Sequence, residues 1–227
     1  MGTKISRTIF SLLFLIFAFN VAGQYTVSPG LLPKINVSAK MSDRLRFGNG
    51  IETRHVLMED IREEIEYDFR LTEITSALSY KTGAATALVG GYMLRIADNT
   101  ISHRLLQQFN LLSYPTGMRI GHRFATDQTF GSDRPVQLRL RYRITVEKPL
   151  NGLEADPKEF YFKFSNEYLG SHESGENNME VRVTPNFGYI FNPKNKIEFG
   201  VDYRINEVLA DSRDSNLWLN VGWYVSL

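Results

Sequence analysis

Residues Val136 to Glu147 alternate without a break. Val136, Leu138, Leu140, Tyr142, Ile144 and Val146 fall on one side of an extended chain, and Gln137, Arg139, Arg141, Arg143, Thr145 and Glu147 fall on the other. Successive side chains of a strand point to opposite faces, so the pattern predicts a ribbon that is apolar on one side and charged on the other. Strands of soluble domains run about five or six residues, whereas a tilted strand needs roughly nine to eleven to cross a bilayer. The stretch therefore reads as one stave of a transmembrane barrel, apolar side to lipid and arginines to the lumen.

The same period recurs along the chain. Lys34 to Phe47 alternates, with Asp43 as its one polar intrusion, and Gly48 to Glu63, containing Gly48-Asn49-Gly50, reads as a long loop. Ile65, Tyr67, Phe69 and Leu71 alternate until the phase slips at Thr72 and Glu73, after which Ile74, Leu78 and Tyr80 carry the apolar side, as a β-bulge would cause. Lys81 to Gly83 turns into Ala84 to Ile96, where Arg95 opposes Leu88, Tyr92, Leu94 and Ile96, and Ala97 to Thr100 turns again. His103 to Phe109 and His122 to Phe130, separated by Ser113 to Gly117, each put an arginine (Arg104, Arg123) on the polar face. After a loop over Lys148 to Pro157, Phe160, Phe162, Phe164 and Tyr168 oppose Tyr161, Lys163, Ser165 and Glu167.

A polar loop, Gly170 to Asn177, precedes Met179 to Phe191, whose inward positions include Glu180 and Arg182. Pro185 within it removes one ladder donor and suggests a local bulge. Ile197 to Ile205 places Glu198, Asp202 and Arg204 inward, and Asn216 to Leu227 is the last stave. The expected architecture is all-β: an up-and-down antiparallel barrel of about ten strands, closed by pairing Lys34–Phe47 with Asn216–Leu227.

The N-terminus carries Lys4 and Arg7, the apolar run Ile9 to Phe19, then Val21-Ala22-Gly23. That order predicts a secretory signal peptide over residues 1–23, leaving one barrel domain over 24–227. The run is too short for a spanning helix, which needs about 20 apolar residues. Of 26 Lys and Arg, 24 follow the cleavage point against 25 acids, so the mature chain is near neutral and offers nothing to nucleic acid. With no cysteine, stability has to come from burial and the hydrogen-bond ladder, without disulfides or thiolate metal sites. No metal, nucleotide or other cofactor motif is present in the sequence.

The chain ends Asn220-Val-Gly222-Trp-Tyr-Val225-Ser-Leu227, a polar residue, a glycine two later and apolar residues three and five beyond it. This resembles the C-terminal signal by which outer-membrane barrels engage their assembly machinery, with Leu227 where that signal usually has an aromatic. The two His-Arg strands, the Gln-Gln-Phe and Asp-Gln-Thr-Phe endings, Arg139 to Arg143, Glu147 to Gly152 and Asn166-Glu167 resemble an uncharacterised family of outer-membrane barrels, a domain of unknown function (DUF2490). The resemblance covers most of the mature chain. It implies a barrel in the outer membrane of a Gram-negative bacterium, in contact with membrane lipid, and carries over no catalytic or binding residue.

The candidate functional positions are therefore the inward charges: Arg104, Arg119, Arg123, Asp127, Arg139, Arg141, Arg143, Glu147, Lys163, Glu167, Glu180, Arg182, Glu198, Asp202 and Arg204. Around the Val136–Glu147 stave the cations exceed the carboxylates by three. A desolvated unpaired charge costs several kcal/mol, so a surplus argues for water or bound anions inside. The lumen is either an ion-paired plug or a path for small anionic solutes, because rings of arginine favour anions.

Two rivals remain open. A lipid-modifying barrel enzyme would use His103 or His122, which periodicity places on the lipid face with Gln107, Thr126 and Asn166. No serine accompanies either histidine there, since Ser102 and Ser165 point inward; a protease-like site would use Asp and His groups at the outer rim, where the polar loop with His172, Glu173 and Glu176 is the only such cluster. A soluble periplasmic barrel would turn its apolar face inward around a ligand.

Overall fold

A computed structural model describes residues 26–62, 64–98, 100–132, 134–209 and 214–227. The expected signal peptide lies outside them. Among these residues eleven strands form one closed barrel: β1 (Thr26–Lys40), β2 (Leu45–Val56), β3 (Asp68–Lys81), β4 (Thr86–Ala97), β5 (Thr100–Ser113), β6 (Arg119–Gly131), β7 (Arg134–Pro149), β8 (Phe160–Glu173), β9 (Glu176–Asn192), β10 (Asn195–Ile205) and β11 (Asp214–Ser226). Every sequential neighbour pairs antiparallel. The seam between β1 and β11 is parallel, running from Thr26 opposite Asp214 to Ser38 opposite Ser226.

The count is eleven rather than about ten because the Lys34–Phe47 stretch is two strands. Asp43, the intrusion in its alternation, sits in a hairpin where Met41 and Ser42 amides donate to Leu45 O at 2.9 and 3.0 Å and Lys40 Nζ meets Asp43 Oδ1 at 2.7 Å. The expected loop from Gly48 onward is the body of β2. Its glycines disguised it: an ideal Cβ on Gly50 would lie 2.7 Å from Asn36 Oδ1, so the bare wall leaves room for the neighbouring side chain of β1. An odd number of alternating strands brings the first and last in with the same direction, which makes the closing seam parallel instead of antiparallel.

The bulge expected at Thr72 and Glu73 falls instead at Arg70, which is skipped where Arg54 pairs Leu71 and His55 pairs Phe69. Pro185 causes no register shift with β8 or β10. The β9–β10 irregularity falls instead at Asn195/Lys196, where Phe191 is skipped. The expected polar loop Gly170 to Asn177 is ladder almost throughout, with Ser171 paired to Asn178 and Glu173 to Glu176. The reversal is made by Ser174 (φ 53°) and Gly175 (φ 84°), two left-handed residues whose twist matches a two-residue hairpin. Short and long connections occur at both ends of the barrel.

The alternation is resolved with the apolar side outward. Leu138 is 49 % exposed and Leu140 66 %, whereas Asp127, Glu167 and Glu198 on the inner side are each 1 % exposed. Among the described residues Leu32, Val56 and Trp218 form a small apolar cluster in the interior, near the end where β1 and β11 begin. Closure leaves no strand edge, so the ladder satisfies the backbone all round.

Candidate functional site

Cross-strand neighbours project to the same side of a sheet, so the register decides which inward charges meet. Glu73 on β3 receives Arg95 Nε at 2.7 Å, Arg54 Nη2 at 3.4 Å and Arg104 Nη1 at 3.6 Å. Asp127 on β6 faces Arg139 Nε at 2.6 Å, Arg141 Nη2 at 3.0 Å and Arg104 Nε at 3.5 Å. Glu167 on β8 takes Arg143 at 2.6 Å and Arg123 at 3.0 Å, with Arg182 and Arg141 at 3.7 and 3.9 Å. Arg104 and Arg141 each touch two of these carboxylates. The result is a continuous chain of alternating charge from β2 to β9, Arg54–Glu73–Arg104–Asp127–Arg141–Glu167–Arg182, extended by Glu180, which accepts from Arg182 Nε at 2.5 Å.

The remaining candidates stand in smaller groups. Arg204 closes on Asp202 at 3.0 Å, with its guanidinium 6.0 Å from the Trp218 ring. Arg119 meets Glu147 at 3.2 Å nearer the opposite end. There Glu198 binds Lys163, Lys196 at 3.2 Å and the Tyr161 hydroxyl at 2.6 Å, while Lys163 and Lys196 both lie over the Tyr224 ring. Tyr161 reaches that position by lying across Gly188, where any Cβ would collide with its ring.

Several interior partners were absent from the candidate set. Glu52 and Arg54 belong to β2, the strand hidden by its glycines. Glu73 sits beside the bulge, where the phase is ambiguous, and Arg95 was legible as a charge opposite an apolar row. Tyr161, Tyr224 and Trp218 lie inside the barrel, whereas the other aromatics of its described strands face outward, and alternation alone carries the signal for them.

Between the groups lies a polar chamber of about 360 Å³. Its walls present eleven lysine and arginine side chains and three carboxylates, Glu52, Glu73 and Asp202. Asp127 and Glu167 stand behind the arginines that line it. Buried charges persist only with partners, and here Glu73, Asp127 and Glu167 are each shared among several guanidiniums, while Glu52 and Asp202 each hold one.

On the outer wall the histidines find tyrosine hydroxyls. His103 Nδ1 is 2.5 Å from Tyr92 Oη, His122 Nδ1 is 2.9 Å from Tyr142 Oη, and His55 Nδ1 is 2.6 Å from Tyr67 Oη. Thr126 donates to Gln107 at 2.9 Å, and Asn166 Nδ2 donates to Arg182 O at 3.1 Å. Ser102 and Ser165 are buried on the inner side, Ser165 against Thr145 at 3.0 Å. His172 is bonded to Asn177 at 2.8 Å, and Glu173 accepts from Gln137 at 2.7 Å.

In the terminal strand, Asn220 and Gly222 face inward and Val225 faces outward, paired to Val37. Leu227 donates its amide to Ser38 O at 2.8 Å. A family model described as a protein of unknown function (DUF2490) matches residues 20–215. No curated protein and no solved structure matches the chain.

Proposed function

We propose that this chain, which belongs to the DUF2490 family of proteins of unknown function, is a non-enzymatic barrel of the Gram-negative outer membrane, with a lumen closed to bulk flow. One observation carries the reading: the polarity of the fold is inverted. Carboxylates and guanidiniums are buried, while Leu138, Leu140, Ile35, Phe199, Leu219 and Trp223 stand on the outer surface at about half exposure or more. In water such a wall would be a continuous sticky surface, far beyond what soluble monomers expose. In lipid it is solvated, and a closed ladder is what a bilayer demands of β structure.

Aromatic rings support the same placement. Phe160, Tyr189 and Phe191 meet in sequence with ring centroids 4.7 and 5.0 Å apart, and Phe162, Phe187 and Phe199 at 5.4 and 6.1 Å, in tilted and edge-on contacts outside β8 to β10 toward the end where β11 finishes. Outer-membrane barrels carry such girdles at the interface. The C-terminal strand, with Asn220, Gly222, Val225 and Leu227, ends at the same end of the barrel as these rings.

Closure of the lumen follows from size and filling. Eleven strands enclose far less than the 16 to 18 of general porins. The interior holds the Leu32–Val56–Trp218 cluster toward one end, the Arg–carboxylate chain through the middle and the Tyr161–Glu198–Lys163 group toward the other. Single-channel recording in planar bilayers tests this, with no porin-like conductance expected. The cationic chamber favours one second reading, a narrow anion path. Anion-selective current that falls when Arg139, Arg141 and Arg143 become Gln would establish that path. Lipid-product release lost on replacing His103 or His122 would displace both readings with an enzyme.

A further inference from the structure

We infer that the barrel binds a small oxyanion of the phosphate class, held by Arg104, Arg123, Arg139, Arg141 and Arg143. Three adjacent strands, β5, β6 and β7, bring these guanidiniums to one wall of the chamber. Arg123 stands directly opposite Arg143, so like charges are neighbours across the β6–β7 ladder, whereas Arg139 faces Asp127. The acidic residues that hold them together, Asp127 and Glu167, are each 1 % exposed and do not line the chamber. What this wall turns to the space is therefore nearly all donor, the carboxylates that line the chamber, Glu52, Glu73 and Asp202, standing on β2, β3 and β10.

Donors also outnumber acceptors. A guanidinium carries five N–H groups and a carboxylate accepts about four bonds, so Asp127 and Glu167, even with Glu73 at 3.6 Å from Arg104, cannot saturate five arginines. The excess is visible atom by atom: among the buried atoms of this cluster five donors, Nη2 of Arg104 and Arg139 and Nε of Arg123, Arg141 and Arg143, have no acceptor, against one carboxylate oxygen, Asp127 Oδ2, with no well-aligned donor. The side chains of Arg104 and Arg139 are only 5 % and 9 % exposed.

The arrangement selects for the shape of the anion as well as its charge. Guanidinium forks present paired N–H groups that match two oxygens of one phosphate or carboxylate, a geometry that neither a halide nor a lysine can reproduce. Tetrahedral phosphate offers four oxygens in different directions and can serve several of these arginines at once. The chamber, at about 360 Å³, admits it. The inference depends on the closed barrel and its register, not on where the barrel resides, so it can fail or hold independently of the membrane assignment.

The test is calorimetric titration of the folded mature chain in detergent micelles with inorganic phosphate, against citrate and chloride at constant ionic strength. Saturable one-to-one phosphate binding is expected, with chloride giving none. The double variant Arg123→Gln/Arg143→Gln should bind phosphate at least tenfold more weakly. Arg123→Lys/Arg143→Lys, which keeps the charge and loses the forks, should also bind more weakly, and decides the matter if the Gln variant does not fold by circular dichroism. Lys40→Gln, at the β1–β2 turn, should bind as the parent does. Citrate binding tighter than phosphate would overturn the phosphate assignment in favour of a carboxylate ligand. A flat phosphate titration of the parent, or undiminished binding in the folded double variants, would mean that only water occupies the chamber and would overturn the site.

Discussion

Arg123 and Arg143 are cross-strand partners on β6 and β7, and both close on the one carboxylate of Glu167, at 3.0 and 2.6 Å. Like charges directly opposite each other destabilise a sheet. Here the repulsion is bridged by an acid contributed from the next strand over, so β6, β7 and β8 are tied through a single side chain. Replacing Glu167 by Gln should destabilise the barrel by about 3–5 kcal/mol, the usual consequence of stranding a buried charge. The urea midpoint of the micelle-embedded protein measures it. An unchanged midpoint would show that water inside screens the cluster.

Tyr161 fills the interior near the opposite end because Gly188 across the ladder leaves it room. Gly188→Ala should force the ring away and cost about 1–3 kcal/mol through overpacking. Tyr161→Phe should cost about 1 kcal/mol through loss of its 2.6 Å bond to Glu198. Both are read from unfolding midpoints, and in the double variant the two costs should not add, because the residues share one contact.

Leu140 points outward from the centre of β7. If that surface meets lipid, Leu140→Arg should destabilise the inserted barrel by about 2–4 kcal/mol, the range for an arginine near the bilayer midplane. Folding into liposomes, followed by protease protection, gives the answer. A Leu140→Arg protein that folds equally well without lipid would favour the water-soluble alternative.

The connection after β2 supplies a pH dependence. Arg62 donates its backbone amide to Asp60 Oδ1 at 3.0 Å and its guanidinium to the same carboxylate, which lowers the Asp60 pKa to about 2. An unfolded aspartate titrates near 3.9. The folded value is depressed, so the contribution of this contact is complete above about pH 4 and is lost as the pH falls toward 2. Amide exchange at Arg62 should accelerate across that window relative to neighbouring amides after correction for intrinsic rates, and Asp60→Asn should remove the step.

Alternation made most of the wall legible. On β7 and β8, the sorting of Leu138, Leu140 and Phe162 away from Arg139, Arg141 and Lys163 needed nothing beyond the two-residue period of a strand. That the first and last strands pair was legible as well, because a closed ladder must join its ends, but the parallel direction of that pairing was not. β2 was not legible: Gly48 and Gly50 remove the inner side chains that would have displayed the period, and in isolation Gly-Asn-Gly is turn chemistry. The hairpin at Ser174 was concealed for a related reason, since polar side chains at a barrel rim look like loop residues although their backbones remain paired.

The amino-acid order by itself determined which side chains share a face, since a strand offers only two, and that a chain with long two-faced strands and no cysteine must close its own hydrogen-bond ladder. Tertiary structure decided what depends on neighbours distant in sequence. Strand count follows from where β2 pairs, and with it the parallel direction of the seam. Register follows from the whole circuit of the barrel, and it alone brings Asp127 to Arg139 and Glu167 between Arg123 and Arg143. A shift of one residue in any pairing would exchange the inner and outer faces. A shift of two would preserve the faces and give every carboxylate different arginines.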